Sequence, residues 1–285
     1  MSPPQPLEPL RTMFDTSSLP GVPLPEPLAA LYGGGLSFAL PGDRPLVLGN
    51  FVSTLDGVVE LDAPGKLGGG PISGNSRHDR MVMGLLRAVA DAVIVGAGTL
   101  RSAPGHRWTA AHIAPGYAAS YVALRAGLGL PPAPLQVFVT ARGEMDLAQP
   151  VFRTPDLPVL IVTTDAGYAR LRQQTLPSHI TVAVGGAERI MAGDVLRQVR
   201  ATQPGRIYLT EGGPTLMGDF FAERQLDELF LTLAPQVAGR DGASARPGFV
   251  AGRALAPDQP TWGDLLSVKR GGSFLFLRYR FAAVG

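Results

Sequence analysis

The sequence contains no cysteine, so it forms no disulfide, offers no thiol nucleophile and builds no Cys-ligated zinc site. It is also short of charge, with 17% Asp, Glu, Lys and Arg, a formal net of +2 and no dense Lys/Arg run. Only two tryptophans occur in 285 residues, so neither a basic stripe nor a stacking platform for nucleic acid is expected. No apolar run is long enough to suggest a membrane span, and the first residues lack a basic stretch leading into an apolar core. A cytoplasmic protein with no metal, membrane or nucleic-acid partner is the expectation.

What is present is apolar: 45% of the residues are hydrophobic, enough for a packed core. Residues 1–42 hold nine prolines and Gly33-Gly34-Gly35. They are expected to form an extended arm or peripheral wrap, because proline blocks the interiors of helices and strands. Residues 43–285 read as a single domain. "LVLGNFVSTLDG" predicts a buried strand ending in a turn at Asp56-Gly57, and Gly68 to Pro71 read as a loop. In "SRHDRMVMGLLRAVA", Ser76 and Asp79 make a capping pattern, and Val82, Leu85, Leu86 and Val89 share one helical face.

"DAVIVGAGT" is a short buried strand running into a glycine turn, and a short helix is expected near Tyr117–Ala126. Further strands are expected at Gln136–Thr140, Val159–Thr163, Ile180–Val184 and Arg206–Thr210. Helices are expected at Ala166–Gln174, Met191–Thr202 and Pro214–Glu223. The apolar "QLDELFLTLAP" follows, then alternation around Gly271-Gly272 that marks a closing hairpin. Strands alternating with helices predict a three-layer α/β/α fold, with a mostly parallel central sheet and a C-terminal antiparallel hairpin.

Ligands of such sheets gather at the carboxyl ends of the strands. Two strand ends carry unusual turns: "VIVGAGTLRS", with Gly96, Gly98 and Thr99, and "IYLTEGGPTLMGDFF", with Glu211, Gly212, Gly213 and Thr215. Glycines let backbone N–H groups approach a pyrophosphate, and a following helix N-terminus favours anions. Each turn is equally a tight strand-to-helix connection. Arg101 occupies the place of the third fingerprint glycine, and no Walker-type Gly-Lys-Ser/Thr occurs.

Three segments, "NFVSTLDG", "LLRAVADAVIVGAGTLRSAP" and "IYLTEGGPTLMGDFFAERQLDELFLTLAPQVAG", occur in the order and spacing of one group. Over roughly Leu46 to Phe281 the chain resembles the reductase domain of the riboflavin-biosynthesis deaminase/reductase, within the dihydrofolate-reductase-like fold. The resemblance implies an NADPH-dependent reductase that transfers hydride to a pyrimidine ribosylamino phosphate or a related heterocycle. It places Gly96, Gly98 and Thr99 near the cofactor's ribose and phosphates, and Gly212 and Gly213 near its pyrophosphate or nicotinamide end. Thr215 adds a second hydroxyl. Thr140 and Arg142 become candidates for the adenosine 2′-phosphate, and Arg142 is equally read as a solvated loop residue. A homodimer is implied, with the "LDELFLTLAP" strand as an interface. The resemblance further implies a strained Gly212-Gly213, with a cis peptide as one form.

Glu211 matches the substrate-side glutamate, to orient hydroxyl or amine groups, relay a proton or stabilise charge. Asp56 lines the same cleft or simply forms its turn. The substrate half departs from the pattern. Val58 stands where a lysine follows Asp-Gly, and Ala103 where an aspartate precedes proline. "PISG" leaves Ser73 as a substrate hydroxyl, and Thr109 retains part of a Leu-Thr motif. His106 and Arg107 offer replacement charge for a phosphate, or belong to a surface loop. With no Cys, the chain lacks the deaminase's zinc ligands. Two alternatives stay open: a pterin or dihydrofolate-type reductase, and a non-catalytic nucleotide-binding protein. The first is disfavoured because Asp79 lies in its helix's opening turn.

Overall fold

A computed structural model describes residues 6–61, 68–242 and 244–281. The chain opens with strand β1 (Arg11–Asp15), helix α1 (Glu26–Tyr32), β2 (Leu46–Ser53), α2 (Gly69–Ile72), α3 (Arg77–Val89) and β3 (Ala92–Gly96). The middle holds α4 (Ala97–Ser102), α5 (Ala110–Ile113), α6 (Ala118–Gly127), β4 (Leu135–Thr140), β5 (Val159–Thr164) and α7 (Asp165–Leu171). It closes with β6 (Ile180–Gly186), α8 (Ala192–Thr202), β7 (Ile207–Gly212), α9 (Pro214–Ala222), β8 (Glu228–Leu233), β9 (Gly263–Gly271) and β10 (Phe274–Phe281).

All ten strands form one sheet, ordered β1-β9-β10-β8-β2-β7-β3-β4-β5-β6. From β8 to β6 every pairing is parallel, and β10, β9 and β1 add an antiparallel margin. Strand side chains alternate between faces, and both faces here are covered. Leu46, Leu48, Val93, Val95 and Phe138 join one core with Leu85 and Leu86 of α3. Val47, Ile94, Val137 and Tyr208 join another, with Val195 and Val199 of α8 and Met217 and Phe220 of α9. That is the expected three-layer arrangement, built on runs that are hydrophobic on both sides.

Helix α3 begins as its capping pattern predicts, with the Asp79 N–H donating to Ser76 Oγ at 3.4 Å. Its stripe of Val82, Leu85, Leu86 and Val89 is buried. The expected loop at Gly68–Pro71 is instead one helical turn, α2. A Cβ on Gly69 would lie 2.9 Å from Val52 of β2, so this turn packs directly on the strand. Gly69, one of the glycines that suggested a loop, serves that close approach.

The proline-rich segment lies along the body over residues 6–42. β1 pairs with β9 as an edge strand, and Leu10, Leu28, Tyr32, Leu36 and Phe38 enter the first core. Pro27 falls in the first turn of α1, where proline costs no hydrogen bond. Lys269, buried over the Tyr32 ring, donates to Thr12 Oγ1 at 2.7 Å and to the Gly33 carbonyl at 3.0 Å. The "LDELFLTLAP" strand is β8, hydrogen-bonded on both sides to β2 and β10. It has no free edge for a second copy, so edge pairing of two chains cannot pass through it.

Candidate active site

β7 lies between β2 and β3 in the sheet, although the chain reaches it four strands later. β3 and β7 are therefore neighbours, and α4 and α9 begin side by side at their carboxyl ends. Neither helix has a side-chain cap, so first-turn N–H groups at both starts are left for a ligand. The Thr99 hydroxyl donates to the Gly212 carbonyl and ties the two turns together. Gly212 has φ of 27° and Gly213 of 154°, conformations that side chains other than glycine rarely adopt. The expected cis peptide is not here: among the described residues only Ala256–Pro257 is cis. The positive φ values turn the chain sharply without it.

A groove of about 500 Å³ runs over these helix starts. Gly96, Gly98, Thr99, Gly213 and Thr215 line it, as do Arg101, Val139, Arg189 and Pro247. A Cβ on Gly98 would meet nothing within 4 Å, so its backbone is open to the groove. Two uncapped helix starts and an exposed glycine backbone fit a pyrophosphate. Arg189 is held by Asp219 at 2.7 Å, whereas Arg101 has no partner among the described residues and is the groove's free cation. Ala251 and Pro247, from the connection between β8 and β9, form the outer wall. Its anchors are Ala251 N–H to the Pro214 carbonyl and Val59 N–H to the Pro247 carbonyl, both at 3.0 Å.

A second cavity of about 270 Å³ adjoins the groove. Both are lined by Glu60, Thr99, Gly213 and Pro214, which mark where they meet. Glu211 lines the smaller cavity but is not a free acid. Arg87 of α3 donates Nε–H to Oε1 at 2.8 Å and a second N–H to Oε2 at 2.6 Å. Both side chains are almost fully buried. Arg87 also donates to His106 Nε2 at 2.9 Å and to the Thr109 carbonyl at 3.4 Å. Because a guanidinium only donates, His106 Nε2 accepts and its proton sits on Nδ1. Burial, aided by the adjacent Arg87 charge, pushes the His106 pKa down to about 2. His106 is thus a neutral wall of the cavity, edge-on to Trp108, and not a replacement cation.

The other expected residues lie apart from these cavities. Asp56 accepts from Thr54 Oγ1 at 2.6 Å and from the Ala238 and Gly239 N–H groups at 3.0 and 2.7 Å. These bonds, led by Thr54, lower its pKa and make it a clamp between two loops. Ser73 is buried, with its hydroxyl toward the Gly70 carbonyl and Asp79. Thr109 caps α5, accepting from the His112 N–H at 3.3 Å. Thr140 is buried at the end of β4, and its neighbours Val139 and Ala141 line the groove. The Arg142 side chain is 81% exposed and lies 4.0 Å from Glu144. Val58 is fully buried with Val52, Ile72 and Ala234, so it is a core residue. Ala103 does line the smaller cavity, where it leaves apolar wall.

Arg87, Glu60 and Asn50, all on the walls of the smaller cavity, escape a reading by motif. Arg87 sits on the buried face of an amphipathic helix, next to Leu86. An arginine in that position signals a buried acid, though not which one. Glu60 follows two buried valines and carries no motif.

The model of the RibD C-terminal domain matches residues 45–252. Similar solved structures include a pyrimidine reductase-like protein from Corynebacterium diphtheriae. It is 20% identical, with 90% of this chain and 99% of that one covered and a TM-score of 0.68. The riboflavin biosynthesis reductase of Saccharomyces cerevisiae is 14% identical over 88% of this chain and 94% of its own, with a TM-score of 0.57. A Thermotoga maritima diaminohydroxyphosphoribosylaminopyrimidine deaminase/reductase is 19% identical, with a TM-score of 0.57. The match covers 84% of this chain but only 57% of that one. At these identities the likeness is one of fold. No curated protein matches the chain significantly.

Proposed function

The chain belongs to the RibD C-terminal domain family, and from that membership we propose that it is an NADPH-dependent reductase. Its substrate would be a pyrimidine ribosylamino phosphate or a related heterocycle. One observation carries this reading: a groove over two uncapped helix starts opens into a second cavity at Thr99, Gly213, Pro214 and Glu60. Pyrophosphate on the α4 and α9 N–H groups would leave a nicotinamide free to reach that junction. When bound, the cofactor supplies hydride to a C=N or C=O carbon.

The chain's own contribution is positioning and shielding. Thr99 holds the two turns in register, Phe51 and Trp108 give the smaller cavity aromatic walls, and Arg101 offers a charge for a phosphate. Glu211, locked by Arg87, is an oriented acceptor for substrate hydroxyl or amine groups; its fixed geometry suits orientation better than proton relay. Titrating NADPH and NADH by nicotinamide fluorescence tests the reading. Binding of NADPH, weakened by Arg101→Ala, is expected; failure of either nucleotide to bind at millimolar concentration overturns it. Turnover with the ribosylaminopyrimidine phosphate, compared with dihydrofolate, then identifies the substrate class. Binding without any turnover would favour a nucleotide-binding protein.

A further inference from the structure

Of the acids on the walls of the smaller cavity, Glu211 is neutralised by Arg87, leaving Glu60. Glu60 also lines the groove and stands with Thr99, Gly213 and Pro214 where the two spaces join. It makes no hydrogen bond or ion pair with any described residue. Its backbone is not loose. Val58 and Val59 just before it are buried, and the Val59 N–H is bonded to the Pro247 carbonyl at 3.0 Å. A fixed stretch of chain thus presents, among the described residues, one unpaired carboxylate at the meeting point. The wall's other net charge, Arg80, is anchored on Asn75 at 2.7 Å.

We propose that Glu60 is the carboxylate of this site that recognises the substrate's charge, and that it takes a cationic N–H group: a protonated imine or amidine-like nitrogen beside the reducible carbon. The proposal rests on the reductase reading and names the substrate's charge class at its reacting end. A carboxylate at that point bonds an iminium or amidinium N–H with charge assistance and has no such partner in a neutral carbonyl compound. It also favours the protonated, more electrophilic form of C=N. Reduction of that form adds hydride to carbon and moves the π pair to nitrogen, which already holds its proton. The dihydronicotinamide of the reading above is oxidised in return.

Calorimetric titration with benzamidinium and its neutral counterpart benzamide tests the proposal on the intact protein without turnover. Wild type should bind benzamidinium at least about tenfold more tightly than benzamide, the scale of one charge-assisted bond. Glu60→Gln should remove that preference and leave benzamide unchanged, and Glu60→Asp should retain part of it. Benzamidinium that fails to bind wild type, or binds Glu60→Gln equally well, overturns the proposal. NADPH titrated against the same variants separates the two readings. Unchanged NADPH affinity in Glu60→Gln is expected, whereas an equal loss would assign Glu60 to the cofactor and overturn the proposal. NADPH that binds no variant, wild type included, refutes the reductase reading even where the amidinium preference holds.

Discussion

At Arg87 and Glu211 two opposite charges leave water together, and each is tolerable only because the other is there. Arg87→Met would strand a buried carboxylate and should cost about 3–5 kcal/mol in a denaturant titration. Adding Glu211→Leu to Arg87→Met should recover most of that loss, since an apolar pair of similar volume needs no partner. Glu211→Gln keeps shape and one acceptor; it should lower turnover more than NADPH affinity, and unchanged turnover would remove Glu211 from the site. Asp79 makes a second residue-scale prediction. Burial raises its pKa from 3.8 to about 6, against the lowering bonds from Thr232 and Ser73 and with help from the Glu211 charge. The folded state therefore holds this proton more tightly than the unfolded chain. Its contribution to stability is fully present below pH 3.8 and is lost as pH rises through about 6. Asp79→Asn, still able to accept from both hydroxyls, should match wild type at acid pH. At pH 7 it should exceed wild type by on the order of 2–3 kcal/mol, and parallel stability–pH curves would refute the assignment.

Among the elements, α9 is the most constrained, because it starts the groove on one side and supports its outer wall on another. A Cβ on Gly218 would lie 2.4 Å from the Ala251 carbonyl oxygen. Gly218→Ala should therefore push the 247–251 segment off the helix, cost on the order of 1–3 kcal/mol and weaken NADPH binding without removing a charge. Melting temperature and nucleotide affinity measured together check this; a loss of neither would mean the wall relaxes freely. α3 offers a contrast. Ser76→Ala should cost about 1 kcal/mol through the lost cap, with nucleotide affinity intact, since no residue of α3 lines the groove.

For the molecule as a whole, the proline-rich beginning is the informative part. Residues 6–42 contribute an edge strand, a helix and five core side chains, and they satisfy the buried Lys269. Deleting them should give an aggregating or unfolded product, whereas a monodisperse product melting near the full chain would show the body to be independent. The three-layer fold was legible in advance because hydrophobic period is a local property: strands two-sided and apolar, α3 striped, Ser76 capping. Local too were the two glycine turns, since the positive φ of Gly212 and Gly213 and the open backbone at Gly98 favour glycine whatever surrounds them. Proline content hid β1 and α1, whose stability comes from β9 and the core rather than from their own propensities. The chemistry of the site lay in the tertiary structure. Glu211 lies near the end of β7 and Asp56 follows β2, so both are acids near a strand end, yet one meets Arg87, 124 residues away, and the other meets loop N–H groups 182 and 183 residues away. Sequence determined which elements form and where a ligand can be cradled. Which carboxylates find a partner among the described residues, and which, like Glu60, find none there, was decided by folding, because an acid's partners are set by through-space distance and burial.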